Sequence, residues 1–235
     1  IYGMHVLPDA HRAGQVGFHI GPITTSVDLF DFTVSGRGGH GSRPDMSVNP
    51  VFCAASILTN TATAWVNQIT AGRTVTLGVT SIQGGEAPNV IPDTADILGS
   101  LRFFNDEEGE KAVRIFKNVA EHTAAMNNCQ VQFDDRFCVL CAPVINDEYY
   151  SNLISTALPE VLPENVTVSS CEPWYASESF SCYRRICPSV LAHLGINNPS
   201  YGSGAAHHNG FFDVDEGVLS TGVISTLKFV AMLQK

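Results

Sequence analysis

The 235-residue chain contains no run of 18 or more apolar residues, so it offers no helical segment able to span a bilayer. Cationic charge is also scarce. Thirteen Lys and Arg stand against 23 Asp and Glu, a net charge of -10, which argues against general affinity for nucleic acid or an anionic membrane. The opening Ile1-Tyr2-Gly3-Met4-His5 has neither the basic region nor the apolar stretch of a secretion signal. Internal repeats, low-complexity tracts and long linkers are missing too. The seven cysteines cannot all pair within one chain, which points to a reducing, cytoplasmic setting. There the Asn165-Val166-Thr167 glycosylation pattern has no role. Cys138-Val139-Leu140-Cys141 has the spacing of a zinc knuckle or redox pair but no second such pair to complete it. Its competing reading is two cysteines packed at a domain boundary.

A hydrophobic content of 44% is enough for a buried core, at a length between one large domain and two small ones. The first 22 residues, rich in turn formers, read as loop and short strand. From Asp28, apolar Phe30, Phe32 and Val34 alternate with polar neighbours, the period of a half-buried strand. Asn49-Pro50 opens a helix expected to end near Gly72, because Asn caps free amides and Pro loses nothing at the first helical position. Strands follow at Val75–Val79 and Ile97–Phe103, a second helix starts from Asn105-Asp106-Glu107-Glu108, and Val131 to Phe137 make a last strand. This strand, helix, strand, strand, helix, strand order predicts a ferredoxin-like α+β domain over residues 26–137. The remainder, 1–25 with 138–235, reads as α/β, with helices near 148–158 and 178–186, strands near 166–168 and 190–194, and a closing helix bearing Val218, Val223, Leu227 and Val230.

His5 and the pair His207-His208 are candidate metal ligands, since imidazole binds borderline divalent ions well. Each also reads as an ordinary surface or core histidine. Gly38-Gly39-His40 lets a ring and its backbone approach a ligand closely, or is simply a glycine turn at a strand end. Between Gly84 and Pro92, two prolines stiffen a loop that could present the Asn89 amide. Glu172 and Glu178 are either site carboxylates or solvent-facing.

Taken together, several segments in this order are similar to the amidohydrolase branch of the M20 peptidases. They are Gly3-Met4-His5-Val6 with Pro8, Gly36-Arg37-Gly38-Gly39-His40-Gly41 with Pro44, Gly84-Gly85 through Asn89-Val90-Ile91-Pro92, Gly99-Ser100-Leu101-Arg102, Ser177-Glu178-Ser179-Phe180, and His207-His208-Asn209 through Phe211. The branch includes hippurate hydrolases, N-acyl-amino-acid amidohydrolases and auxin-conjugate hydrolases. The resemblance implies part of a zinc-peptidase-like mixed-sheet catalytic domain, with the ferredoxin-like segment inserted as a lid and dimerisation domain. It implies two divalent ions (Zn, Mn, Co or Ni), with His5 and His208 as ligands and His207 as a neighbour. It assigns His40 to the substrate carbonyl, often across a dimer, and assigns Asn89, Arg102 and Glu178 to substrate binding. The implied substrates are N-acyl amino acids or short peptides.

Two departures from the pattern are visible. Ser179 replaces an expected aspartate, which removes a charge, and Gly210 replaces a common proline, which loosens a loop. The family's upstream Cys-Gly-His-Asp and Glu-Glu stretches, which supply further ligands and the general base, do not occur. The expectation is therefore a portion of a longer or two-chain homodimeric enzyme that is inactive alone, or else a non-catalytic dimerising or ligand-binding fragment.

Overall fold

The computed structural model describes residues 1–134, 138–166 and 168–234; Phe137 and Thr167 of the sequence-based assignments lie outside them. In chain order the elements are β1 (Tyr2–Arg12), β2 (Val16–Phe18), β3 (Gly21–Pro22), β4 (Val27–Ser35), β5 (Gly39–His40), α1 (Pro50–Gln68), β6 (Val75–Gln83), β7 (Val90–Ile91), β8 (Thr94–Phe103), α2 (Asp106–Met126), β9 (Gln130–Phe133), β10 (Cys138–Cys141), β11 (Ile145–Asn146), α3 (Glu148–Ala157), β12 (Val168–Ser170), β13 (Val190–Asn197) and α4 (Leu219–Met232). Contacts divide the chain into two compact units: residues 26–143 form one, and residues 1–25 with 144–235 form the other.

In the 26–143 unit, the sheet runs β9–β4–β8–β6, with β10 sharing the β4 edge with β9. That order, with α1 and α2 as the crossovers, is the ferredoxin-like arrangement the sequence predicts. Alternation along β4 and β8 sends Phe30, Phe32, Val34, Ile97 and Leu101 to one face, where they meet Ile57 of α1 and Phe116 of α2. The Phe30, Phe32 and Phe116 rings pack with centroids 4.9–6.3 Å apart, and truncating any one to alanine costs about 3–5 kcal/mol. Both helix starts are built as their sequences dictate. Asn49 Oδ1 accepts from the Val51 amide at 2.9 Å, and Asn105 Oδ1 accepts from the Glu108 amide at 2.9 Å. One residue breaks the apolar pattern: Asp28, on the core face of β4, is 2% exposed, and its Oδ1 has no partner among the described residues.

The other unit holds a mixed sheet in the order β1–β13–β2–β12. β1 and β13 pair in parallel from Tyr2↔Val190 to Leu7↔Gly195, while β13 and β2 are antiparallel. Val16, Phe18, Val190, Ala192 and Leu194 form its core with Ile154 of α3 and Phe229 of α4. Buried Asn146 holds β13 through its whole amide, accepting from the Leu191 N–H at 2.7 Å and donating to the Leu191 carbonyl at 2.8 Å and the His19 carbonyl at 2.9 Å.

Three sequence-based expectations are corrected here. The opening is a single eleven-residue strand rather than loop and short strand; Gly3 and Pro8 hide it. The helix expected over 178–186 is a 3₁₀ helix over residues 179–185. On α4 the buried positions are Thr221, Ser225 and Phe229, the first two with small hydroxyl side chains. Val223, Leu227 and Val230 remain exposed. Val223 and Leu227 join Met4, Val6 and Leu194 around an apolar groove of about 530 Å³. No helix among the described residues is long and apolar enough to cross a membrane.

Candidate functional site

In the unit formed by residues 1–25 and 144–235, parallel pairing aligns His5 of β1 with His193 of β13. Trp174, which sequence reading did not single out, is the hub between the histidines. Its ring centroid lies 4.9 Å from that of His5, 5.1 Å from His207 and 6.1 Å from His193. His207 also stacks on Phe212 at 5.5 Å. The signal available for Trp174 was its rarity, one of two tryptophans, beside Pro173 in a segment without periodicity.

The His5 and His207 rings are 5.4 Å apart. His5 Nδ1 lies 2.7 Å from the Val6 carbonyl oxygen and His207 Nε2 lies 3.0 Å from it. His208, the residue assigned as a ligand by resemblance, is exposed and has a left-handed backbone, φ 61°. Glu178 is half-buried at the start of the 3₁₀ turn, and its carbonyl accepts from the Ser181 amide at 3.1 Å. That turn brings Phe180 onto Gly3, where a Cβ would stand 2.6 Å from the ring, so the Gly3-Met4-His5 and Ser177-Phe180 motifs meet. Cys171 Sγ contacts His193 Nδ1 at 3.7 Å, a thiol–imidazole pair in form. Burial, reinforced by the charge of Glu172, pushes the Cys171 thiol up to about 11, so it stays protonated and is no nucleophile at neutral pH.

In the 26–143 unit, β5 and β7 form a two-stranded ladder pairing Gly39 with Ile91 and His40 with Val90. The Gly41 amide donates to the Asn89 carbonyl at 2.8 Å, so this ladder joins the His40 and Asn89 motifs. Asp93 Oδ1 accepts from the Gly38 amide at 2.7 Å, and a Cβ on Gly38 would sit 2.8 Å from the Ile91 carbonyl oxygen. The glycine is therefore required for close approach rather than for a turn. His40 and Asn89 are exposed, and Arg102 is half-buried on β8 opposite Thr76.

The described residues include no group of three or more His, Cys, Asp or Glu side chains able to hold a metal ion. They do not by themselves fit the dinuclear centre implied by resemblance. The Cys138 side chain lies outside the described residues.

Residues 14–127 match the peptidase dimerisation domain family, M20_dimer. The N-acetylcysteine deacetylase of Bacillus subtilis (strain 168) is 30% identical over 220 residues, covering 94% of this chain and 55% of the relative. Thermostable carboxypeptidase 2 of Saccharolobus solfataricus is 27% identical over 229 residues, covering 96% and 56%. The chain thus spans just over half the length of these relatives. Among solved structures, the Bacillus subtilis YXEP protein, a dinuclear metal binding peptidase from the M20 family, matches with a TM-score of 0.78 at 24% identity, over 99% of this chain and 56% of that one, a likeness of fold.

Proposed function

We propose that this chain, whose residues 14–127 match the peptidase dimerisation domain family and which is similar to M20-type hydrolases, is the self-associating, substrate-orienting part of an amide hydrolase and is non-catalytic alone. The outer edge of β6 carries this reading. Its only ladder partner among the described residues is β8, and Val79 and Ile82 are 38% and 47% exposed along it. An unpaired edge of this kind is satisfied when a second copy extends the sheet across a two-fold axis.

The assembled enzyme, longer or two-chain, acts on N-acyl amino acids or short peptides, in keeping with relatives named as a deacetylase and a carboxypeptidase. His40 donates to the amide carbonyl oxygen as negative charge builds there. Arg102 pairs with a free substrate carboxylate, while Asn89 and Glu178 orient the remainder. His5 and His208 are proposed ligands of the metal pair, completed by groups from outside the described residues. Divalent ions held there would supply Lewis-acid polarisation of a water.

Sedimentation of the 235-residue chain tests the association. The expected species is a dimer of twice 25.3 kDa, converted to monomer by Ile82→Lys; a monomer at every concentration removes the reading. In the same preparation, N-acetyl amino acids with added Mn, Zn or Co are expected to show no turnover. Hydrolysis by the chain alone would overturn the non-catalytic assignment.

A further inference from the structure

The proposed role of His40 depends on which ring nitrogen carries the proton, and the loop that follows it decides this. The Ser42 backbone N–H points at His40 Nδ1 from 3.1 Å, which favours Nδ1 as an acceptor, and the Ser42 hydroxyl, 2.8 Å from the same nitrogen, adds a second donor. Two donors sharing one lone pair leave no room for a proton on Nδ1. The ring is thereby held as the Nε2–H tautomer, and Nε2 is exposed with no partner among the described residues.

The surroundings keep Ser42 in place. Pairing of β5 with β7 fixes the His40 backbone, and the His40 carbonyl accepts from the Arg43 amide at 2.9 Å, closing a turn with Gly41 and Ser42 at its centre. Arg43 is drawn away from the imidazole by Asp45, to which Nε and Nη2 donate at 2.9 and 2.7 Å.

We infer that Ser42 is the positioning residue of His40, presenting its Nε2–H as a hydrogen-bond donor to the substrate's carbonyl oxygen. This rests on the reading of His40 given above. A ring free to exchange tautomers would spend part of its time presenting a lone pair to that oxygen, which repels developing negative charge.

The test reads the tautomer directly, in the 235-residue chain with ¹⁵N-labelled histidine. Wild type is expected to show Nδ1 in the unprotonated range and Nε2 in the protonated range. Ser42→Ala should show a growing Nδ1–H population, and Ser42→Thr should restore the wild-type pattern. Identical tautomers in wild type and Ser42→Ala, or an Nδ1–H ring in wild type, would overturn the inference. In the assembled enzyme, Ser42→Ala should lower kcat about tenfold, the worth of one net hydrogen bond, with KM unchanged and with no further loss in a His40→Ala background. Unchanged turnover in His40→Ala alone would remove the oxyanion role of His40, a failure distinct from that of the tautomer measurement.

Discussion

The rings of His5 and His207 donate to one and the same acceptor, the Val6 carbonyl oxygen, and are therefore fixed as opposite tautomers. A carbonyl can only accept, so His5 carries its proton on Nδ1 and keeps the Nε2 lone pair, whereas His207 keeps the lone pair of Nδ1. A backbone carbonyl that orients one ring nitrogen while the other stays available is the usual support of a metal-binding imidazole.

The assignment of His5 and His208 as ligands can be separated from a ligand role for His207. In the assembled enzyme, His5→Ala and His208→Ala should each abolish tight metal binding, measured by competition with a fluorescent chelator. His207→Ala should weaken it by no more than the roughly 10–100-fold typical of an outer partner. Metal retained by His208→Ala and lost from His207→Ala would transfer the ligand role to His207.

Replacing His40 by alanine should reduce kcat by about 10²–10³, the loss seen when one donor to a developing oxyanion is removed, with KM changed little. Steady-state kinetics on an N-acetyl amino acid decides it. A rise in KM at constant kcat would mean that the ring only helps to bind substrate.

Asp28 should make the 26–143 unit less stable as pH rises through the weakly acidic range. Burial first, and then the charge of Asp106, pushes its carboxyl from 3.8 to about 6. The folded state therefore holds a proton that the unfolded chain has released between those values. Stability is complete below about pH 4, falls as pH climbs through 6, and stays low above it. The loss is at most about 3 kcal/mol, and Asp28→Asn should abolish it. Urea unfolding at pH 4, 5, 6 and 7 is the check; parallel pH profiles for wild type and variant would dismiss the buried carboxyl as the cause.

Gly99→Ala should destabilise the same unit by about 2–3 kcal/mol, because a Cβ at Gly99 collides with the Phe30 ring and the Gly78 carbonyl oxygen, neither of which can withdraw from a packed sheet. Chemical denaturation of the variant measures it, and a change below about 0.5 kcal/mol would show that Phe30 repacks.

What was legible in the sequence was local. Asn49 and Asn105 announce their helices because a capping amide and the helix it starts lie within three residues of each other. The ferredoxin-like order follows from period-2 alternation in β4 and β8, which are buried on one face. β1 escapes notice because Pro8 and Gly3 interrupt it and no alternation marks its faces. The α4 stripe misleads because three of its large apolar residues stay exposed while two hydroxyl side chains are buried. Among the candidate residues of the two units, His5, His40 and Asn89 stand out by motif. The β5–β7 ladder and the Trp174 hub do not, since they join residues about 50 and nearly 170 positions apart. Ser42 could have been found by a local rule, a hydroxyl two residues beyond a histidine.

The placement of β10 beside β4 also has a kinetic meaning. Val27 and Cys141 are paired neighbours, so once the inserted unit has formed, the two chain ends leaving it are close together. Without that closure, joining β1 to β13 means closing a loop from Tyr2 to Val190, a slow and entropically costly search. With it, the search shrinks to the segments that flank the insertion. Folding should therefore run from the middle of the chain outward. Pulse-labelled hydrogen exchange is expected to protect β4 and β8 before β1 and β13, and the reverse order would show that the outer sheet does not wait for the inner one.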